Sequence, residues 1–114
     1  MELNKELTII EEGVLQCIPL GSERKVAIKE LSSLVDLDER SIYEVINRLR
    51  KKGIPVCAQR SGKLEERGYY IATNEQERSE GLAAYKSQVQ DMSKLIEDIE
   101  AAELDTWQQR LYGA

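Results

Sequence analysis

The sequence contains no histidine, and only two of its 114 residues are cysteines, Cys17 and Cys57. Zinc sites that combine cysteine with histidine, Cys–His dyads and Ser–His–Asp triads are therefore excluded. We expect both cysteines to be buried thiols, because neither has partner ligands and nothing indicates a redox role. The residues predict neither an enzyme nor a bound metal or cofactor.

Long apolar runs are missing as well. No stretch approaches the ~20 residues that a membrane-spanning helix needs. The first residues, MELNKELT, lack a basic segment followed by an apolar stretch, so no signal peptide is expected. These absences predict a cytoplasmic protein without membrane contact. A chain of this length forms one domain with at most an appendage.

Charge is distributed unevenly along the chain, although the net charge is only −5. Residues 1–22 carry a net charge of −3, and residues 69–114 carry −5. Residues 23–68 carry +3, from eleven basic and eight acidic residues. A basic middle between two acidic ends favours an anionic partner for the middle segment.

Apolar residues recur at helical spacing in three segments of the first half of the chain. Thr8 and Glu11 have the spacing of a capping box, and Pro19 ends the first helix. Asp38 is placed to cap the third helix, and Gly53 is placed to close it. The predicted inward faces are Leu3, Leu7, Ile10, Val14 and Ile18; Ile28, Leu31 and Leu34; and Ile42, Val45, Ile46 and Leu49.

After the third helix the apolar period changes from helical spacing to alternation. Ile54, Val56 and Ala58 alternate with other residues, and Tyr69 and Ile71 share one face of a returning segment. A polar, glycine-bounded tip separates the two segments, which is typical of a β-hairpin. The predicted fold class is therefore mainly α with a small β-hairpin (α+β).

The last third of the chain predicts one long amphipathic helix. Thr73 or Asn74 caps a helix that runs from about Glu75 towards Leu111. Its apolar residues occupy positions a and d of nearly three heptads. They are Leu82, Tyr85, Val89, Met92, Ile96 and Ile99. We therefore expect a first domain over residues 1–73 and a C-terminal dimerisation helix over residues 74–114.

Two segments carry a resemblance to a known family. DERSIYEVINRLRKKG at residues 38–53 resembles the recognition helix of winged helix-turn-helix regulators, including the biotin-repressor-like type. Gly68-Tyr69-Tyr70-Ile71 resembles the end of the two-stranded wing in that family. The resemblance covers roughly residues 8–73. It implies a DNA-binding regulator of the kind carried by phages or plasmids.

Helix geometry gives an independent prediction of which residues face the DNA. With the apolar residues of helix 39–52 turned inward, a polar stripe faces outward at 100° per residue. Its side chains are of types that contact base edges and phosphates, and the tip of the wing 54–72 adds cations. The candidate DNA-binding residues are Arg40, Ser41, Tyr43, Glu44, Asn47, Arg48 and Lys51 on the helix, and Arg60 and Lys63 on the wing.

Other interpretations of the same residues remain open. Arg40 and Arg48 each lie four residues from Glu44, so the outer face also suits a solvated ion-pair ladder. Glu65 and Glu66 oppose binding of the wing to phosphates. A protein-interaction or replication/partition accessory module is therefore the alternative function.

The six heptad residues are the predicted dimer interface. A domain of about 70 residues does not bury such a stripe without a second surface, and a second copy of the helix supplies one. Folding back onto the protein's own first domain is the alternative. We expect a homodimer that binds double-stranded DNA, since dimeric DNA readers pair half-sites in this way.

Overall fold

The computed structural model describes residues 7–113, so Leu3, which we placed on the first inward face, lies outside the described residues. In this range the chain is mainly helical and carries one small antiparallel hairpin, as predicted. The elements are α1 (Ile9–Gln16), α2 (Ile28–Val35), α3 (Glu39–Lys51), β1 (Val56–Gln59), β2 (Gly68–Ile71), α4 (Glu75–Ala101) and α5 (Trp107–Tyr112). The chain divides into two compact units between Leu82 and Ala83.

Local capping signals set the start of α1 and both ends of α3 where the sequence predicts them, whereas α1 ends at Gln16, before the predicted stop at Pro19. The Thr8 hydroxyl accepts from the Glu11 N–H, and the Glu11 carboxylate accepts from the Thr8 N–H, which completes the capping box. The Asp38 carboxylate accepts from the Ser41 N–H at 2.7 Å and caps α3. Gly53 follows the end of α3 with φ +92°, a conformation that glycine adopts without strain.

Two of the predicted inward residues are exposed, and the cause is a rotation of each helix. On α1 the buried residues are Glu11 and Val14, and Ile18 is buried just after the helix ends, which leaves Ile10 exposed. The α1 face is turned because the Glu11 side chain occupies a core position, where it pairs with Arg48 of α3 and with Lys52, the residue that follows α3. On α2, Val35 packs against the core, and Leu34 is 59% exposed.

The core of the first unit lies between α1, α2, α3 and the hairpin. The inward face of α3 is buried as predicted, and it contacts both earlier helices and β1. Each neighbouring element contributes at least one buried apolar residue to the same core. The buried residues of this core include Val14, Leu31, Ile42, Val45, Ile46, Leu49, Val56 and Ile71.

The hairpin is shorter than predicted, but the side chains predicted to share the inward face do so. Val56 pairs with Ile71 and Gln59 with Gly68, while Ile54 precedes the strand. Tyr69 and Ile71 are buried in the core, as expected. The free edge of β2 is also paired, because the Tyr69 N–H donates to the Val26 carbonyl at 2.8 Å.

The opposite face of the hairpin is buried too, which the alternation pattern did not predict. Tyr70 and Cys57 lie on this face, and the Tyr70 hydroxyl donates to the Glu77 carbonyl of α4 at 3.0 Å. Burial raises the pKa of Tyr70 to about 12. Gly81 of α4 lies directly over Cys57, where a Cβ atom would come within 2.6 Å of the cysteine side chain. Glycine at this position therefore allows α4 to approach the sheet.

The start of α4 is tied to the first unit by one carboxylate. Asn74, one of the two predicted caps, accepts from the Glu77 N–H at 2.9 Å. The Glu77 carboxylate then accepts from the N–H groups of Ser22 and Thr73, both at 2.8 Å. These two hydrogen bonds, the one from Thr73 first, lower the pKa of Glu77 to about 2. The first two turns of α4 consequently belong to the first unit, which extends to Leu82 rather than to residue 73.

The prediction of one continuous helix towards Leu111 is wrong. α4 ends at Ala101, and residues 102–106 form a turn before the short helix α5. In the turn the Thr106 hydroxyl donates to the Glu103 carboxylate at 2.8 Å. Aspartate and threonine at 105 and 106 favour caps and turns over helix interiors, and the apolar stripe stops at Glu103. In residues 7–113 no helix has the length and apolar content needed to cross a bilayer.

Candidate nucleic-acid interface

The outer face of α3 presents the predicted polar stripe to solvent. Most of the candidate side chains on this helix are exposed, and Ser41 is half-buried beside its bond to the cap. The exposed members are Arg40, Tyr43, Glu44, Asn47, Arg48 and Lys51. Because the opposite face of α3 is locked in the core, the direction in which this stripe points is fixed.

The ion-pair ladder that we weighed as an alternative does not form. No pair within 4.0 Å joins Glu44 to Arg40 or Arg48 in the part of the chain that the structure describes. Arg48 instead donates its Nε–H to the Glu11 carboxylate at 2.9 Å. The stripe is therefore divided: Arg48 is held by α1, whereas Arg40, Asn47 and Lys51 extend into solvent.

Glu11 anchors the C-terminal end of α3 to α1. Its side chain is 1% exposed and accepts from Lys52 Nζ at 2.6 Å as well as from Arg48. The bond from Lys52, then that from the Thr8 N–H, and then that from Arg48 lower the pKa of Glu11 from 4.5 to about 2, although burial opposes them. This buried carboxylate therefore links the first helix to the end of α3 through two ion pairs.

Sequence reasoning missed this anchor because Glu11 was interpreted only as a capping residue. A signal was present: Glu11 lies four residues after Leu7 and three before Val14, on the apolar stripe itself. A carboxylate in such a position needs buried partners. The partners lie 37 and 41 residues away in the sequence, so no local pattern identifies them.

We expect Glu11→Gln to lower the melting temperature at pH 7 and to have little effect near pH 2. Glutamine keeps the capping box but leaves Arg48 and Lys52 without a carboxylate. The folded-state pKa of about 2 lies below the ordinary value of 4.5, so the stabilisation is full above about pH 4.5 and is lost as the pH falls towards 2.

Thermal melts of the parent and of Glu11→Gln between pH 2 and pH 7 measure this difference. Glu12→Gln is the matched control, because Glu12 is exposed on the same helix. A gap between Glu11→Gln and the parent that stays constant over the whole pH range would contradict the prediction.

The tip of the hairpin is an ordered loop that carries several cations. Gly62 has φ +91°, and its carbonyl accepts from both Nε and Nη2 of Arg67 at 3.0 and 2.8 Å. The Glu66 carboxylate accepts from the Lys63 N–H at 2.9 Å, which starts a single 3₁₀ turn over Leu64–Glu66. Glu66 is thereby engaged within the loop, while the Lys63 side chain is exposed.

A groove of about 740 Å³ separates α2 and α3 from the hairpin. Tyr43 of α3 and Arg60 of the hairpin, both predicted site residues, line the same groove. Its floor is apolar, with Ile28 and Tyr69 among the lining residues. The cations Lys29 and Arg67, which were not among the candidates, also line it. Tertiary packing thus brings the outer face of α3 and the hairpin onto one surface.

No protein-family model and no curated protein matches the sequence. The chemistry of this surface must therefore be judged from its geometry. Guanidinium and ammonium groups on either side of a groove suit phosphate oxygens, and an exposed amide such as that of Asn47 on α3 suits the edge of a base.

The predicted dimer residues differ from one another in exposure. Leu82 is 38% exposed and Tyr85 is half-buried, at the boundary of the two units. Val89, Met92, Ile96 and Ile99 are 54–66% exposed. Leu95 was not predicted but lies on the same face of α4 and is 56% exposed. Five neighbouring apolar side chains of α4 are therefore exposed together in the single chain.

Proposed function

We propose that the chain is a sequence-specific DNA-binding protein that acts as a homodimeric transcriptional regulator. In this proposal α3 is the recognition helix of a winged helix-turn-helix, and it reads base edges in the major groove. The hairpin is the wing and contacts the phosphate backbone. The two free thiols, Cys17 and Cys57, are consistent with the reducing cytoplasm.

The exposed stripe of α3 is the observation that carries the proposal. Arg40, Asn47 and Lys51 extend from one helix face and make no ion pair with Glu44, so their donors are available to a ligand. Arginine binds guanine bidentately, and asparagine binds adenine bidentately. A rigid helix with these side chains has the chemistry for reading bases.

The cations around the groove support a separate contact with the DNA backbone. Lys29, Arg60 and Arg67 line the groove from α2 and from the hairpin. Lysine and arginine bind phosphate oxygens without regard to sequence, and such contacts set the register of a protein on the duplex. All three cations belong to the basic middle segment, residues 23–68.

Selection of binding sites from a random duplex DNA library tests the proposal, and titrations on the selected site follow. We expect Arg40→Ala and Asn47→Ala to cost ~1–3 kcal/mol each on that site and to relax base choice at one position. Lys51→Ala should weaken binding to all sequences similarly and reduce the salt slope by about 1, because it removes a phosphate contact.

Lys94→Ala is the matched control for loss of a positive charge, since Lys94 lies on α4 and is exposed there. It should bind the selected site like the parent protein. If the library yields no enriched sequence, the proposal is wrong. If the three α3 variants bind every duplex as the parent does, α3 is not the recognition helix.

A second candidate function is supported by the exposed apolar residues near α5. Leu104, Leu111 and Tyr112 are all largely exposed. Such residues suit a surface that binds another protein, as in a replication or partition accessory module. Failure of the DNA selection, together with normal folding, would favour this candidate.

A further inference from the structure

The exposed apolar block of α4 is symmetric along the helix. Val89 and Ile99 lie at its two ends, Met92 and Ile96 lie inside them, and Leu95 lies beside the centre. The outer pair, Val89 and Ile99, and the inner pair, Met92 and Ile96, are both centred on position 94. A sequence with this symmetry matches its own reverse, so two antiparallel copies place apolar residues opposite each other at every layer.

The boundary of the block is set by burial and not by the heptad pattern. The heptads run back to Leu82, which would place the centre of symmetry between residues 90 and 91. Leu82 and Tyr85 are the two least exposed members of the stripe. Less of their surface remains to be buried by a partner, so residues 89–99 define the contact.

Charges beside the block distinguish the two possible orientations. With Val89 and Ile96 at position a, Lys86 and Glu100 both occupy position e. In a parallel pair, position e faces position g of the partner, so the Glu100 carboxylate meets the apolar Leu95. The acidic end of α4, with Glu97 and Asp98, would also lie beside its own copy. A parallel pair therefore has no compensating ion pair and brings like charges together.

In an antiparallel pair, position e faces position e of the partner. With the two-fold axis at position 94, Lys86 of each copy lies opposite residue 102 of the other, about two residues from Glu100. Two residues along a helix correspond to about 3 Å, which both long side chains span. The pair gains two Lys86–Glu100 contacts, and the helix macrodipoles oppose each other.

We propose that α4 pairs antiparallel with α4 of a second copy, with the two-fold axis passing between the helices at the level of residue 94. In this pair Val89 packs against Ile99 of the second copy, and Met92 packs against Ile96. The inference rests on the homodimer in the proposed function and adds the orientation and the register. Leu82 of one copy then lies about 36 Å along the axis from Leu82 of the other, at 1.5 Å per residue. A parallel pair would place these two residues about 8–10 Å apart.

Disulfide trapping in the full-length protein tests the orientation. Val89→Cys and Ile99→Cys are oxidised separately and as a mixture, and covalent dimers are read on non-reducing gels. The antiparallel pair predicts a covalent dimer only in the mixture. The parent protein, which contains Cys17 and Cys57, is the control for background oxidation.

A covalent dimer of either variant alone would indicate parallel helices and overturn the inference. A mixture of Leu82→Cys and Ile99→Cys tests the register, because that pair meets only if the axis lies between residues 90 and 91. Efficient trapping of this mixture, without trapping of the first one, would also overturn the inference.

Charge exchange provides a second test that needs no new cysteine. Lys86→Glu should weaken dimerisation roughly tenfold, because two attractions become two repulsions. The double variant Lys86→Glu/Glu100→Lys restores both pairs and the parent net charge, so its dimer affinity should return to within about twofold of the parent. Lys94→Glu/Glu100→Lys is the control, since Lys94 lies on the outer side of α4 and has no coupling to Glu100.

The outcomes separate this inference from the proposed function. Absence of rescue in the double variant overturns the antiparallel pair. If the protein nevertheless sediments as a dimer and enriches a DNA site, the proposed function is retained. If the protein is a monomer at about 100 μM, both the inference and the proposed homodimer are wrong, whatever the DNA selection yields.

Discussion

A Val89→Asp variant is expected to be a folded monomer that binds a two-fold DNA site about 10²–10⁴-fold more weakly than the parent. Val89 is 63% exposed in the single chain and packs against a second copy in the proposed dimer. Aspartate at this position would be buried without a partner, and such a charge is strongly unfavourable. The loss in affinity follows because the monomer no longer holds two half-sites together.

Sedimentation velocity and DNA titration of the purified variant measure the two effects. Ser87→Asp is the matched control, because it adds the same charge at an exposed position on the outer side of α4. It should remain dimeric and bind DNA like the parent. Val89→Asp should keep the cooperative melt of the first unit, since Val89 is not part of its core. A Val89→Asp protein that remains dimeric would contradict the prediction.

Leu49→Ala is expected to destabilise the first unit by ~2–5 kcal/mol. Leu49 is fully buried on the inward face of α3, where this helix meets α1, α2 and β1. Truncation removes apolar contacts and leaves a cavity that a small core does not refill. A loss of this size is a large fraction of the ~5–15 kcal/mol that stabilises a typical domain.

Urea unfolding followed by circular dichroism measures this loss. Leu34→Ala is the matched control, because the same truncation at an exposed residue of α2 should change stability by less than about 0.5 kcal/mol. The comparison also tests the rotation of α2, since the apolar spacing alone places Leu34 in the core. Equal losses for the two variants would contradict the packing described above.

Interactions that are local in sequence were predictable from the sequence. The capping box of Thr8 and Glu11, the Asp38 cap and the closing Gly53 each act within a few residues. The inward face of α3 was predictable for the same reason. Its four apolar residues recur at helical spacing over one uninterrupted helix, and all of them are buried.

Helix rotations and the second face of the hairpin were not predictable in this way. Ile10 and Leu34 have the right spacing for a core face, but each helix turns by a fraction of a turn when it packs. Tyr70 alternates with the core residues Tyr69 and Ile71, so its burial depends on a helix that the hairpin pattern does not contain. Apolar spacing shows roughly which side of a helix is buried, and packing against neighbouring elements then decides which residues of that side are covered.

The candidate DNA surface was likewise predicted only in part. The outward direction of Arg40, Asn47 and Lys51 follows from the inward face of the same helix. The pairing of Arg48 with a buried carboxylate on α1 does not, because the two residues are 37 positions apart. The groove that joins α3 to the hairpin depends equally on contacts between distant segments.

The sequence by itself determined the order of the elements up to α4, the caps of α1, α3 and α4 and the polar stripe of α3, because backbone capping and side-chain periodicity act within one or two turns. Only the tertiary structure decided the role of Glu11, the extension of the first unit to Leu82 and the exposed block over residues 89–99. Each of these depends on which surfaces other parts of the chain cover. A buried charge finds its partners, and an apolar face becomes exposed or covered, only when distant segments pack.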